Sequence, residues 1–227
     1  MHTEEDDNLY ILEEEDDDTT PVNYAAYSDE ERELSLKAEE KKEKGKSAAV
    51  LLFKIMFNPV EGWKSLRRSG KSVEAFQSGI FYPVLALLAL SAFADYFYSV
   101  NVTLQQVITQ AVVAFVAYFF GYFCVMIILS WLLPAEMKKR LEGQFGGLYI
   151  SVGMTTLALF SIFIELLPML WPILIFLPIW TLYLMYKGVR FFKFAQNQEM
   201  KFYVLAGAAV VGVPILLDWA LSSIMPY

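Results

Sequence analysis

The segment from Gln105 to Leu133 decides the fold class of this chain. It reads QQVITQAVVAFVAYFFGYFCVMIILSWLL and contains no charged residue. A helix that crosses a lipid bilayer needs about 20 predominantly apolar residues, so this segment is long enough to span one. The whole chain has a matching composition, because 56% of its 227 residues are hydrophobic and only 19% are charged. Such a composition excludes an ordinary soluble globular protein.

Further apolar segments lie on both sides of this one. A short stretch with Pro168 and Pro172 separates two of them, and each proline removes a helical N–H and disfavours helix at the preceding residue. This predicts a tight hairpin rather than one very long helix. The sequence therefore predicts a five-helix transmembrane domain in residues 78–227, an all-α integral membrane protein, with the other four spans at Gly79 to Val100, Gly147 to Leu167, Trp171 to Tyr186 and Phe202 to Ile224.

The positions of lysine and arginine predict the topology. Of the 18 basic residues, eleven precede the first span, three lie at residues 138–140 and four lie within residues 187–201. Basic residues are retained on the cytoplasmic side of a membrane. We therefore expect a cytoplasmic N-terminus and a short C-terminus outside, which agrees with an odd number of spans.

Residues 1–47 are predicted to be an acidic disordered tail followed by a polar helix, both cytoplasmic. The first 30 residues contain 12 acidic and no basic residues, and their few apolar residues cannot form a core. The alternative for this tail is a short docking motif for a basic partner surface. Ser28 and Glu31 form a capping box for the polar helix, and Gly45 is its stop signal.

Residues 48–77 are predicted to be an amphipathic segment at the cytoplasmic membrane surface. Ala49 to Phe57 is apolar but too short to span, so it should lie along the membrane or pack on the bundle. Asn58 and Pro59 then predict the start of an interfacial helix. Its candidate contacts with lipid headgroups are Trp63, Lys64, Arg67 and Arg68.

Asp95, Glu165 and Asp218 are the candidate residues for an intramembrane polar site. Charged side chains at membrane depth are costly, and for this reason they often mark function. By the predicted topology, each of these acids lies in the outer third of a helix that runs outward. They either share one polar site or lie separately near helix ends, where each reaches headgroups or water.

The residue types of the chain argue against several classes of site. The chain has one cysteine, Cys124, and one histidine, His2, which are too few for a zinc cluster, a disulfide framework or a Ser-His-Asp triad. No phosphate-binding loop, HExxH or GxSxG motif is present, and no stacking platform accompanies the basic residues. We therefore predict no catalytic residues, no metal, no cofactor, no nucleic-acid partner and no enzymatic activity.

Three short segments carry a resemblance to a known family. They are Phe57-Asn58-Pro59-Val60-Glu61-Gly62-Trp63, then Gly146-Gly147-Leu148-Tyr149-Ile150-Ser151, and then Ile179-Trp180-Thr181-Leu182-Tyr183-Leu184-Met185-Tyr186-Lys187-Gly188. In this order, within a five-span layout, they resemble the Ypt-interacting membrane proteins, or YIP family, in its bacterial branch. The resemblance covers roughly residues 50 to 222.

The resemblance implies a five-helix membrane protein with a cytosolic N-terminus and no catalytic residues, here in a bacterial inner membrane. Eukaryotic relatives associate with small GTPases in vesicle traffic, but this sequence lacks the Asp-Leu-x-Gly-Pro segment that those relatives carry before the first span.

Two hypotheses for the function follow from these features. The first is a scaffold that organises membrane or partner proteins through its cytoplasmic N-terminal region. The alternative is a small transporter or channel that uses the outer acids for a proton or another cation. The acids discriminate between the two, because a scaffold should tolerate their replacement by amides and a permeation site should not.

Overall fold

A computed structural model of the chain describes residues 45–98, 102–167, 169, 176–192, 194 and 196–225, apart from the side chains of residues 95, 196 and 197. These residues form helices and contain no β-strand. The prediction of an all-α integral membrane protein is confirmed. The acidic tail and the polar helix that the sequence predicts for residues 1–44 lie outside the described residues.

The helices follow one another with short connections. We number them α1 (Ala48–Phe57), α2 (Pro59–Ser69), α3 (Val73–Tyr98), α4 (Leu104–Leu132), α5 (Ala135–Leu141), α6 (Gln144–Leu166), α7 (Leu177–Val189) and α8 (Gln196–Ile224). A π-helical turn at Gln77–Phe81 and a 3₁₀ turn at Ala92–Ala94 interrupt α3, and a 3₁₀ turn at Arg190–Phe192 follows α7.

Four helices of the described part are long and apolar enough to cross a membrane, namely α3, α4, α6 and α8. Helix α3 begins at Val73, before the predicted start of the first span at Gly79. The predicted fourth span, Trp171 to Tyr186, begins in residues that lie outside the described part, and α7 contains its residues from Leu177 onward. The count of five spans therefore remains a prediction.

Helix α6 lies at the centre of the bundle. In its most apolar stretch, 72% of the residues are buried, against 28% to 44% in α3, α4 and α8. Small and hydroxyl-bearing residues along its first half, from Gly146 to Ala158, are buried against the other helices. Close contact of this kind is how helices associate in lipid, where no hydrophobic effect drives them together.

Helices α1 and α2 pack on the end of the bundle at which α3 and α6 begin. Leu51, Leu52 and Ile55 of α1 are fully buried, whereas Val50, Phe53 and Phe57 on its other side are exposed. The two helices cross at Gly62, where a side chain would collide with the backbone of Ile55. As predicted, α2 begins at Pro59, and the Asn58 side chain accepts a hydrogen bond from the Glu61 amide at 3.2 Å.

Candidate functional site

Trp63 joins α2 to the interior of the bundle. Its side chain is fully buried, and its indole Nε1 donates a hydrogen bond to the carbonyl of Leu184 in α7 at 2.9 Å. The indole lies against Gly188, where a Cβ atom would come within 2.5 Å of the ring, so this position has no room for a side chain. The Tyr149 hydroxyl of α6 donates to the next carbonyl, that of Met185, at 3.0 Å. We call these five residues the aromatic clamp.

More aromatic rings surround the clamp and complete its apolar environment. The ring centroids of Trp63 and Tyr149 are 5.5 Å apart, and a chain of ring contacts continues from them. These contacts have tilted, edge-to-face or stacked geometries. The surrounding rings come from the start of α6, the turn after α7 and the start of α8, and they are Phe145, Phe192, Phe194 and Phe202.

Two arginines connect α2 and α5 to the turn that follows α7. Arg67 of α2 donates to the carbonyl of Phe191 at 2.9 Å. Arg140, at the end of α5, donates to the carbonyl of Phe192, and its guanidinium lies 5.3 Å from the centre of the Phe194 ring. The cytoplasmic segments of the predicted topology are thus joined to one another by side chains.

The expectation that Trp63 contacts lipid headgroups is wrong, because its ring is buried in the clamp. The apolar stripe of α2 faces the bundle rather than the lipid. Lys64 forms an ion pair with Glu61 at 2.7 Å, and both side chains are more than a third exposed. Arg67 and Arg68 are exposed at the surface of α2. Headgroup contacts by these three basic residues remain a prediction.

At the opposite end of the bundle, Glu165 and Asp218 line one cavity of about 190 Å³. We call it the acidic cavity. Glu165 is partly buried and Asp218 is exposed at its edge. The side chain of Asp95, the third acid that the sequence singles out, lies outside the described part. The remaining lining residues come from α3, α4 and α8, and they are Ala92, Gln110, Val113, Ala114 and Ser222.

Hydrogen-bonding side chains accompany the acidic cavity. Ser91 of α3 donates to the Glu165 carboxylate. One turn closer to the middle of the bundle, the hydroxyls of Tyr118 and Ser161 are 2.7 Å apart. The amide oxygen of Gln110 has less than 1 Å² exposed and no hydrogen-bond partner in the described structure. Sequence reasoning missed Gln110, although it is a polar residue within a span otherwise rich in apolar residues.

A second polar cluster, which sequence reasoning also missed, lies nearer the clamp. Gln77 begins the π-helical turn of α3, and its side-chain amide donates to the Ser151 hydroxyl of α6 at 3.1 Å. The Tyr82 hydroxyl donates to the Gln77 amide oxygen at 3.4 Å. A pocket of about 390 Å³ with Glu74 and Glu142 in its lining opens at this end. A π-helical turn is often found at functional positions, and this signal is not visible in the sequence.

Among the described residues, no group of three or more histidine, cysteine or acidic side chains is arranged to hold a metal ion. Cys124 is a free thiol that is partly buried in α4.

Comparison with known proteins identifies the family. The family model described as the Yip1 domain matches residues 53–220, which is well over half of the chain. Searches of the curated proteins and of the solved structures give no significant match. The matched range contains all of the segments that resemble the YIP family, and these segments meet at the aromatic clamp. The chain is therefore a multi-pass membrane protein that belongs to the Yip1 family.

Proposed function

We propose that this protein is a non-enzymatic, membrane-organising scaffold that acts through its cytoplasmic N-terminal region. The Yip1 family is not known for enzymatic activity. The observation that carries the proposal is the aromatic clamp, because it holds α2, on which α1 packs, against α7 with a buried tryptophan and a hydrogen bond. Whatever binds the N-terminal region is then mechanically connected to the membrane-spanning helices.

The charges at this end fit the same role. Arg67 and Arg68 of α2 are exposed, and the outer side of α1, which packs against α2, is apolar. A surface with both features associates with the cytoplasmic leaflet of a membrane that contains anionic lipids. In this proposal the protein resides in a bacterial inner membrane, as the resemblance to the bacterial branch of the family implies. Its N-terminus lies in the cytoplasm, since all 18 lysine and arginine residues precede, or lie between, the predicted spans on that side.

The partner would bind the acidic residues 4–18, which favour a basic protein surface. Membership of the Yip1 family adds a small GTPase as a candidate partner.

Proximity labelling tests the scaffold. A labelling enzyme fused to the N-terminus is compared in its native membrane between the parent protein and a variant in which the acids of residues 4–18 are replaced by amides. The labelled set should change in this variant. The matched control is the pair Glu165→Gln and Asp218→Asn, which should leave the set unchanged. Loss of the labelled set in the control but not in the tail variant would contradict the scaffold.

A second candidate function is a small transporter or channel for a proton or another cation. Its specific support is that Glu165 and Asp218 line the same cavity. Liposomes with the purified protein should show cation or proton flux that falls in Glu165→Gln and Asp218→Asn. Absence of flux in the parent protein would remove this candidate and leave the scaffold.

A further inference from the structure

Two cations lie over aromatic rings where α7 ends. The Lys187 ammonium is 5.5 Å from the centre of the Tyr183 ring, and the Arg190 guanidinium is 5.3 Å from the centre of the Tyr186 ring. Arg190 also donates a hydrogen bond to the Tyr186 hydroxyl at 3.2 Å. The face of an aromatic ring attracts a cation. Since Lys187 and Arg190 are three positions apart, their side chains leave the same side of the chain, and the rings hold two positive charges close together.

Helix α8 lies next to this pair of cations. The rings of Tyr186 in α7 and Tyr203 in α8 meet edge to face, with their centres 5.5 Å apart, and both side chains are partly buried. One turn earlier on α7, Leu182 packs on Gly207 of α8, where a Cβ atom would come within 2.9 Å of the leucine side chain. The cations therefore lie beside the line along which α7 and α8 touch.

An apolar surface continues along α7 from the cations. Ile179, Trp180 and Tyr183 are exposed, and the rings of Trp180 and Tyr183 are 5.1 Å apart. Trp180, Tyr183 and Lys187 follow the spacing of one helix face, and seven residues extend over about 10 Å. Helix α7 contains part of the predicted fourth span, so this face would contact lipid. The cations at the end of α7 would then lie at the level of the headgroups.

These groups fit the two parts of an anionic phospholipid. The planar guanidinium of Arg190 matches two oxygens of a phosphate, and Lys187 adds a compact charge. The Tyr186 hydroxyl, which accepts from Arg190, still has its own proton to donate. Basic sites between membrane helices on the cytoplasmic side are known to hold such headgroups. The exposed aromatic and aliphatic side chains are suited to an acyl chain, which free phosphate lacks.

We propose that Lys187, Arg190 and Tyr186 form a specific site for one anionic phospholipid of the predicted cytoplasmic leaflet, with an acyl chain along Tyr183 and Trp180. The site goes beyond the scaffold role. It also differs from the general attraction of α2 to an anionic leaflet, because a single lipid is held on α7 and remains bound when the surrounding bilayer is replaced by detergent.

The test uses the full-length protein in a mild detergent. Native mass spectrometry counts the lipids bound after addition of phosphatidylglycerol or phosphatidylcholine, and a titration gives the affinity for the first lipid. Glycerol phosphate, which has the phosphate but no acyl chain, is added as a competitor at the same concentration as phosphatidylglycerol. Spin-labelled phosphatidylglycerol in liposomes of phosphatidylcholine provides a second measurement within a bilayer, since a lipid bound to protein moves more slowly than the bulk lipid.

Two variants alter the site, and one serves as a matched control. The double substitution Lys187→Gln and Arg190→Gln removes both charges, and Arg190→Lys keeps the charge but removes the planar fork. The control combines Lys139→Gln with Lys201→Gln, which removes the same charge at the same end. Both control lysines are exposed. Lys201 is two positions from Tyr203 and therefore lies on the opposite side of α8 from the contact with α7.

The parent protein and the control should bind the first phosphatidylglycerol about tenfold or more tightly than phosphatidylcholine. The double variant should lose this preference, because each cation near a headgroup strengthens binding. Arg190→Lys should reduce it severalfold, and this result tests the site even if the double variant does not fold. The proposal is overturned if the parent binds both lipids equally, if the control loses the preference as fully as the double variant, or if glycerol phosphate displaces phosphatidylglycerol.

Discussion

At one end of the bundle, polar side chains bond to backbone carbonyls of another segment, whereas at the other end polar side chains bond to one another beside a cavity. At the clamp end, Trp63, Tyr149, Arg67 and Arg140 all donate to backbone carbonyls of α7 or of the turn after it. At the acidic end, Gln110 lacks a partner in the described structure. The first arrangement holds segments of the chain together. The second lines a cavity that several helices share.

Basic and acidic residues are also found at different ends of the bundle. Among the described residues, Lys64, Arg67, Arg68 and Arg140 belong to the clamp end, where cations at helix ends are stable beside an anionic leaflet. Glu165 and Asp218 line the cavity at the other end, and no described basic residue is among its lining residues. The comparison teaches that one bundle combines an end held by aromatic packing and backbone hydrogen bonds with an end where acidic side chains line a cavity. Each of the following experiments can break or sharpen it.

The largest expected effect is all-or-none and concerns which end faces the cytoplasm. A reporter that is active only outside the cytoplasm should work when it is fused after Tyr227. It should be inactive when inserted within residues 138–140, because the basic residues there are retained inside. The reverse pattern, or equal activity at both positions, would reject the five-span topology.

Trp63→Ala should cause the largest loss of stability among single substitutions at the clamp. It removes a fully buried indole and leaves the Leu184 carbonyl without its side-chain donor. Truncation of a buried aromatic residue costs about 3–5 kcal/mol. Denaturant unfolding in detergent measures the change. Trp219→Ala is the control at the acidic end, where the indole is 70% exposed, and it should cost much less. Equal losses would show that the two ends are equally rigid.

Gly188→Ala should have a smaller effect that depends on the same contact. The added Cβ would lie 2.5 Å from the Trp63 ring, so the ring or α7 must shift. Overpacking of this kind costs about 1–3 kcal/mol. Gly212→Ala in α8 is the matched control, because a Cβ there meets nothing within 4 Å. It should be neutral or slightly stabilising, since alanine favours helix over glycine. A loss in Gly212→Ala as large as that in Gly188→Ala would mean that the cost is not specific to the contact with Trp63.

Much of the fold can be predicted from the sequence, because length and apolar composition alone determine whether a helix can span. The start of α2 and the capping box of Thr103 and Gln106 at the start of α4 follow from local hydrogen-bonding chemistry, and the structure contains both starts. Local patterns of this kind depend on residues three or four positions apart. They do not require knowledge of the tertiary structure.

The environment of a side chain on a helix is harder to predict. Trp63 lies on an apolar stripe that would suit either lipid or protein, and only the contact with Gly188 in α7 decides for protein. These residues are far apart in the sequence, so their pairing cannot be derived from spacing. Contacts between distant residues also could not be derived for Gln110. The sequence suggested that the acidic residues share a site, but it did not indicate that Gln110 lines the same cavity as Glu165 and Asp218.

The smallest expected effect concerns contact of α2 with lipid. If Lys64, Arg67 and Arg68 reach anionic headgroups, the protein should be more stable in anionic than in neutral nanodiscs. Each cation contributes about 1 kcal/mol near a charged leaflet, and salt screens this term. Lys64 should contribute less than the arginines, because Glu61 already pairs with it in an exposed position. Arg68→Gln should therefore reduce the difference between the two lipids, and Lys64→Gln should reduce it by a smaller amount. The substitution Lys201→Gln on α8 is a control for charge loss elsewhere at the same end. If the lipid difference is independent of salt, or if all three variants reduce it equally, α2 has no special contact with the membrane surface and the basic residues act only through the overall charge of that end.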